Sequence, residues 1–222
     1  LFKGTTKKPV YEKYTRLKLI KFATYALFKY DIFQFHQRVT LLPKEIDINL
    51  IRLFRKKFFI YHHGSDVIGN KNYLKHVPHS KWTEAICIST PDLYDFVPKS
   101  AILIPQAINI ESLQNYMPLN KKFRDGIQEP VIITHAIHSK TAIGHKGSDI
   151  IVEAIKKLKS KGFRIDFRFF IGEKYNSVLN QISKADIHID QIIYGWHGTI
   201  SAESMAMGTP VVCYIREDLE KF

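Results

Sequence analysis

The stretch ADIHIDQIIYGWHGTISAESMAMGTPVVCY, Ala185–Tyr214, changes character several times in a short length. An apolar strand ends near Asp190, and a loop carrying Gly195 and Gly198 turns tightly. A helix then begins at Thr199, with the small residues Ala202, Ser204 and Ala206 suited to close packing on a sheet. Gly208 and Pro210 stop that helix, and Val211–Tyr214 reads as a buried strand. The first amides of a helix have no intrahelical acceptor and favour a phosphate, which makes Gly198 and Thr199 candidate anion-binding positions. Glu203, one turn inside, is placed to accept hydrogen bonds from a ribose. A generic strand–helix–strand turn with a solvent-facing Glu203 would use the same spacing.

Working upstream, the same alternation recurs. The pattern predicts strands over Val131–His135, Ile165–Ile171 and Asp186–Ile189. It predicts helices over Asp149–Ser160, Asn176–Lys184 and Thr199–Met207, the first with Ile150, Ile151, Ala154, Ile155 and Leu158 at helical spacing. Strict strand–helix alternation calls for right-handed crossovers and a parallel, doubly wound sheet. The first half repeats the style less regularly, with candidate strands Ile32–His36, Phe58–His62, Ala85–Ser89 and Ala101–Pro105 and a helix near Ile46–Lys56. Asn109–Glu129 is polar, with Pro118, Gly126 and the Lys121–Lys122 pair, and reads as a connector. The fold class expected is α/β: two Rossmann-like parallel-sheet domains facing a cleft, residues 1–115 and 116–222. Such clefts, at the carboxyl ends of parallel strands, bind ligands.

The formal net charge is +12. Residues 1–60 hold 14 Lys/Arg against 4 Asp/Glu, a net +10, while residues 61–222 hold 19 against 17, a net +2. A basic first third attracts an anionic surface such as membrane headgroups or a phosphorylated substrate. Within it YTRLKLIKFATYALFKY, Tyr14–Tyr30, reads as one helix, apolar on a wide face and basic on the rest. It either lies on a membrane or is an ordinary core-facing helix with a solvated basic stripe. Nucleic acid is not expected as a partner, because the chain has no zinc knuckle, aromatic RNA-stacking motif or helix-turn-helix. No apolar run approaches the roughly 20 residues of a bilayer span, and the start Leu1-Phe2-Lys3-Gly4 lacks the short basic segment and long apolar core of a signal peptide. Cys87 and Cys213 stand alone in apolar runs, as expected of buried thiols in a reducing cytoplasm.

The loop after the first strand of the second half reads ITHAIHSKTAIGHKGSD, Ile133–Asp149. Lys140 and Lys146 flank a turn into the next helix, where two cations can neutralise a diphosphate leaving group as its charge builds. Two solvated loop lysines are the plainer reading. His135 and His138 receive no role. His76 and His79 flank Pro78, but nothing nearby supplies further zinc ligands, so no metal is expected.

Glu203 and the tail Ser204-Met205-Ala206-Met207-Gly208-Thr209-Pro210-Val211-Val212 resemble the nucleotide-sugar signature of family-4-type GT-B glycosyltransferases. In that family a loop glutamate precedes the second glutamate by eight positions; here Gly195 stands at the first. This variant is similar to a subgroup associated with bacterial surface-polysaccharide assembly. Lys146-Gly147 fits the family's Arg-then-Lys pair, with Lys140 in place of the arginine. His63-Gly64-Ser65-Asp66, after the strand Phe58–His62, resembles the turn that faces the donor from the first domain. There a histidine can bond the sugar or accept a proton, and Asp66 alternatively caps the turn. Ser89–Asn109 contains a looser match. The resemblance covers roughly residues 57–222, and by it the chain reads as truncated at both ends.

The resemblance implies a hexosyltransferase type of activity: transfer of sugar from a nucleotide diphosphate donor, a UDP-sugar, to a glycan or lipid-linked glycan, with retention. No metal or other cofactor is implied, since the nucleotide sugar is a substrate. His63 and Asp66 are the expected catalytic residues, and Lys140, Lys146, Gly198, Thr199 and Glu203 the donor-binding ones. The expected location is cytoplasmic, peripheral on the inner face of a membrane held through residues 1–60. A sugar-nucleotide 2-epimerase of the same fold, or a non-catalytic nucleotide-binding scaffold, are the alternatives.

Overall fold

The computed structural model describes residues 13–37, 40, 42, 45–64, 66–68, 72–117 and 129–222. Ser65, residues 1–12 of the basic segment, and Pro118, Lys121, Lys122 and Gly126 of the expected connector lie outside these. Two compact units divide between Pro105 and Gln106.

The first unit runs α1 (Lys13–Lys29), β1 (Ile32–His36), α2 (Ile46–Leu53), β2 (Lys57–His62), α3 (Tyr73–His76), β3 (Ala85–Ile88) and β4 (Ile102–Leu103). Its four strands are parallel in the order β1-β2-β3-β4. Phe33 pairs with Phe58 and Phe35 with Ile60 across β1 and β2. Alternate side chains of such strands point to opposite faces, and Phe35, Phe58, Ile60 and Ile88 enter a core closed by Ile48 and Ile51 of α2 and by Leu27 of α1. Burying four such side chains contributes about 1.5–3 kcal/mol each before chain entropy is counted. β4 is shorter than expected. The polypeptide leaves the ladder at Ile104, whose amide makes the last bond, to Ile88, and Pro105 has no N–H to continue it.

The second unit runs α4 (Ile110–Leu113), β5 (Val131–Ile137), α5 (Ile143–Lys146), α6 (Ser148–Ser160), β6 (Ile165–Ile171), α7 (Tyr175–Ser183), β7 (Ile187–Ile189), α8 (Thr199–Ala206) and β8 (Val211–Val212). The order is β6-β5-β7-β8, all parallel. Ile151 and Ile155 of α6 pack with Ile133 of β5, whereas Val178 and Ile182 of α7 pack with Ala136 in a separate cluster. Both faces are covered, as a parallel sheet requires. From β5 the chain winds outward to β6, then crosses back to β7 on the other side of β5. The carboxyl ends of β5 and β7 therefore form the topological switch point, where such sheets bind ligands.

Three local findings differ from the sequence expectation. The loop before α6 contains a helical turn, α5, ended by Gly147 in the left-handed region (φ +72). The first part of the expected connector forms α4, whose Leu113, ahead of the expected 115/116 boundary, is buried with Leu179, Ile182 and Met207 of the second unit. On α1 the apolar and basic residues are not segregated: Tyr25 and Phe28 are exposed beside Lys18, Lys21 and Lys29, while Ala26 and Leu27 turn inward. No helix among the described residues is long and apolar enough to cross a membrane.

Candidate functional site

Asp190, at the end of β7, organises the switch point. Its Oδ2 accepts hydrogen bonds from the Gly198 amide at 2.8 Å and the Ser201 hydroxyl at 2.6 Å, so it caps the start of α8. Its Oδ1 accepts from Lys146 Nζ at 2.6 Å, and the same ammonium donates to the Ala136 carbonyl at 3.2 Å. Burial alone would push the Asp190 carboxyl up, but the Lys146 charge and the three hydrogen bonds outweigh it and hold it below the ordinary carboxylate range. An ammonium has three N–H donors; two of those of Lys146 are engaged, leaving one for a ligand.

Glycines make this convergence possible. A Cβ on Gly198 would stand 2.8 Å from Asp190 Oδ2, and one on Gly147 would stand 2.6 Å from Ile192 Cγ1. The Gly198 amide is thus already engaged, whereas the amides of Thr199 and Ile200 fall in the first turn of α8, where no intrahelical acceptor exists. The Thr199 hydroxyl donates to Gln106 Oε1 at 3.0 Å. Lys140 stands exposed in the turn Lys140–Ala142.

Glu203 lies one turn into α8 and is largely buried. Its Oε1 accepts from the Tyr175 hydroxyl at 2.6 Å, and burial raises its carboxyl, with the Tyr175 bond opposing. The same burial, followed by that bond, raises the Tyr175 phenol. Beneath the loop, His135 Nδ1 donates to the Ile189 carbonyl at 2.8 Å, so Nε2 accepts from the Ser148 hydroxyl at 2.8 Å. Burial holds both His135 and its neighbour His188 below the usual histidine value, His188 at about 4. Both are neutral beams under a charged pair.

Gly195, where the resembled family carries its first glutamate, has no room for one. Its Cβ would lie 2.8 Å from Cβ of Arg216, whose amide donates to the Gly195 carbonyl at 3.1 Å.

In the first unit, His63 follows β2 and its ring stacks on His36 at the end of β1, with centroids 5.1 Å apart. The nitrogens His36 Nδ1 and His63 Nε2 are 2.8 Å apart, a bond that needs one N–H and one lone pair. Tyr61 meets the His63 ring edge-on at 4.7 Å. Asp66 turns inward: one oxygen pairs with the buried His62, and the other accepts from the Gly64 amide at 3.1 Å. His62 and those amide bonds keep its carboxyl low against the upward push of burial. Its place is that of a turn cap which fixes His62 and the backbone of His63.

Of the residues expected to bind a donor, Lys146, Gly198, Thr199 and Glu203 lie near the carboxyl ends of the second unit's strands. Sequence reasoning assigned no role to Asp190, Tyr175 or His36. A buried acid at the end of β7, directly before a glycine loop, was the available signal for Asp190. Among the described residues no three His, Cys, Asp or Glu side chains converge as a metal site.

No protein family model matches the chain, and no curated protein matches it in sequence. Solved structures do. OtsA in its apo form superposes with a TM-score of 0.58 at 10% identity, covering 94% of this chain and 64% of that one. An α-glucosyltransferase in complex with UDP and a mismatched 13-mer DNA gives 0.50 at 12% identity, covering 88% and 63%. An α,α-trehalose 6-phosphate synthase from Burkholderia multivorans gives 0.50 at 10%, covering 93% and 63%. The fold is that of the two Rossmann-like units of GT-B glycosyltransferases, and this chain spans a little under two thirds of these structures' length.

Proposed function

We propose that the protein transfers a sugar from a nucleotide diphosphate donor, a UDP-sugar, to a hydroxyl of a glycan or lipid-linked glycan. The observation that carries this reading is the gathering of Lys146, the first-turn amides of α8 and Glu203 at the switch point of one parallel sheet. A diphosphate there meets the third N–H of Lys146, the amides of Thr199 and Ile200, and the exposed ammonium of Lys140. Asp190 is the positioning residue that holds both Lys146 and the α8 start. Glu203 takes the ribose, a charged acceptor worth about 1.5–3 kcal/mol per hydrogen bond.

Charge on the diphosphate grows as the glycosidic bond breaks, so fixed cations stabilise the transition state more than the bound donor. Retention of configuration follows the resembled family, and the lysines and helix start supply the positive charge that a metal ion would otherwise bring. His63 bonds the reacting sugar, with Asp66 fixing its turn. The basic residues of the first unit hold the protein on the anionic inner face of a membrane, where a lipid-linked acceptor is presented.

Incubation with a panel of labelled UDP-sugars and a lipid-linked glycan acceptor tests the function. Label in the glycan supports it. A C2 epimer formed without acceptor identifies a 2-epimerase, and donor bound but unchanged identifies a non-catalytic scaffold.

A further inference from the structure

The first unit contains a cavity of about 510 Å³ between α1, β1 and α2, within the roughly 300–1,000 Å³ of small-molecule sites. Leu19, Phe22 and Leu27 of α1 face Phe33 and Phe35 of β1 and Ile51 of α2 across it. The polar residues of its lining, among the described residues, are Gln34, His36, Thr40 and Asp47. Asp47, the one charged residue of the lining among the described residues, is buried and already accepts hydrogen bonds from the Leu42 and Ile48 amides. Among the described residues the wall is thus mostly apolar, and suits an occupant with few polar atoms along its length.

His36, at the end of β1, has a definite neighbour. Gln34 and His36 are exposed there, and His36 is hydrogen-bonded to His63 at 2.8 Å. On α1 the exposed Lys18 and Lys21 flank the lining residues Leu19 and Phe22. An occupant with an apolar body and an anionic head would match all three features: apolar walls, a histidine pair beside the lining, and ammonium groups on α1.

We propose that this cavity holds the hydrocarbon chain of an anionic amphiphile, with its head at the His36–His63 pair. That the amphiphile is the glycosyl acceptor rests on the function proposed above; the cavity's selectivity for a chain does not. On this arrangement the head of a lipid-linked acceptor is delivered to His63 while its tail is sheltered from water.

Calorimetry with octyl and dodecyl phosphate, below their critical micelle concentrations, and with inorganic phosphate tests the proposal. Inorganic phosphate, for which the function proposed above gives a separate site at the start of α8, should not displace bound dodecyl phosphate. Affinity should rise about fourfold per added methylene, on the order of 10² from octyl to dodecyl. Farnesyl phosphate, run alongside, separates prenyl from straight chains as the preferred tail. Ala23→Phe, which fills the cavity, should weaken dodecyl phosphate at least tenfold and leave UDP affinity unchanged. Phe22→Asp, at a position 57% exposed and so tolerant of a charge, should do the same. Affinity independent of chain length, or both variants binding like the parent, would overturn the proposal. Chain-length dependence in a protein that fails to bind UDP would leave the cavity standing and remove the donor site; the opposite pattern would do the reverse.

Discussion

The Lys146 ammonium lies 2.6 Å from a carboxylate oxygen of Asp190 whose side chain is wholly buried, while the lysine side chain keeps 23% of its exposure. Removing one partner of such a pair leaves an uncompensated charge and costs about 3–5 kcal/mol when burial is complete. Here the Gly198 amide and Ser201 hydroxyl stay in place, so Lys146→Ala should lower stability by less than that, about 2 kcal/mol. The loss should shrink as the pH falls and Asp190, deprived of its cation, takes up a proton. Urea unfolding at pH 7 and pH 4.5 checks this, and a loss equal at both would show that the pair is not the source.

The buried His188 gives stability a pH dependence at mildly acidic pH. Its Nδ1 lies 3.0 Å from the Thr134 hydroxyl, and its Nε2 has no partner among the described residues. Burial lowers it from 6.5 to about 4. A depressed folded value means that the unfolded chain binds the proton first, so this stability is present above pH 6.5 and fades as pH falls toward 4. The whole effect is on the order of 3 kcal/mol. His188→Gln should flatten the slope of unfolding free energy between pH 6.5 and 4.5, whereas an unchanged slope would assign it to other groups.

A glutamate at Gly195 is not accommodated in isolation. A Cβ there meets Arg216 at 2.8 Å, so Gly195→Glu should destabilise by about 1–3 kcal/mol. Pairing it with Arg216→Gly, which removes the Cβ that the new side chain meets as well as the stem, should relieve most of that clash. Thermal unfolding of the single and double variants measures the coupling, and additive losses would mean that the Arg216 stem does not fill this position.

The exposed face of α1 should bind anionic membranes. Phe28 meets Phe54 edge-on at 5.5 Å, which joins α1 to the end of α2, where Leu53 is 75% exposed and Arg52 and Arg55 add charge. Each cation near an anionic surface contributes about 1 kcal/mol. Pelleting with anionic but not neutral vesicles, reversed at about 1 M salt where the Debye length is near 3 Å, is the expected result. Lys21→Glu with Lys29→Glu should abolish it. Protein left in the supernatant with anionic vesicles at low salt would show that the face is only solvated.

Much of the second unit was legible because its elements carry both a period and a stop. α6 has its apolar residues at helical spacing and Gly162 beyond its end, and the strand Ile165–Ile171 was read with the bounds it has. The first unit was harder to read. β4 keeps only Ile102 and Leu103 in the ladder, since its length is set by where its neighbour β3 ends. The residues proposed for the donor, Lys146, Gly198, Thr199 and Glu203, were singled out through loop and helix-start chemistry, which is local. Tyr175 and Asp190 were not, because what they do depends on Glu203 and Lys146, far away in sequence, and only the strand order brings these together. Likewise the pairing of His36 with His63 follows from the parallel register of β1 and β2, which no single segment encodes.

On the function proposed, the switch point beside α8 is a nucleotide site with Glu203 as its ribose acceptor. Calorimetric titration of UDP into the protein and into Glu203→Ala, each shown to be folded by circular dichroism, tests this most directly. A loss of about 1.5–3 kcal/mol, roughly ten- to more than a hundredfold in affinity, is the predicted result. Tyr175→Phe, which frees Glu203 Oε1 without removing the carboxylate, should leave UDP binding intact. Unchanged UDP affinity in folded Glu203→Ala would contradict the claim and take Glu203 out of the site.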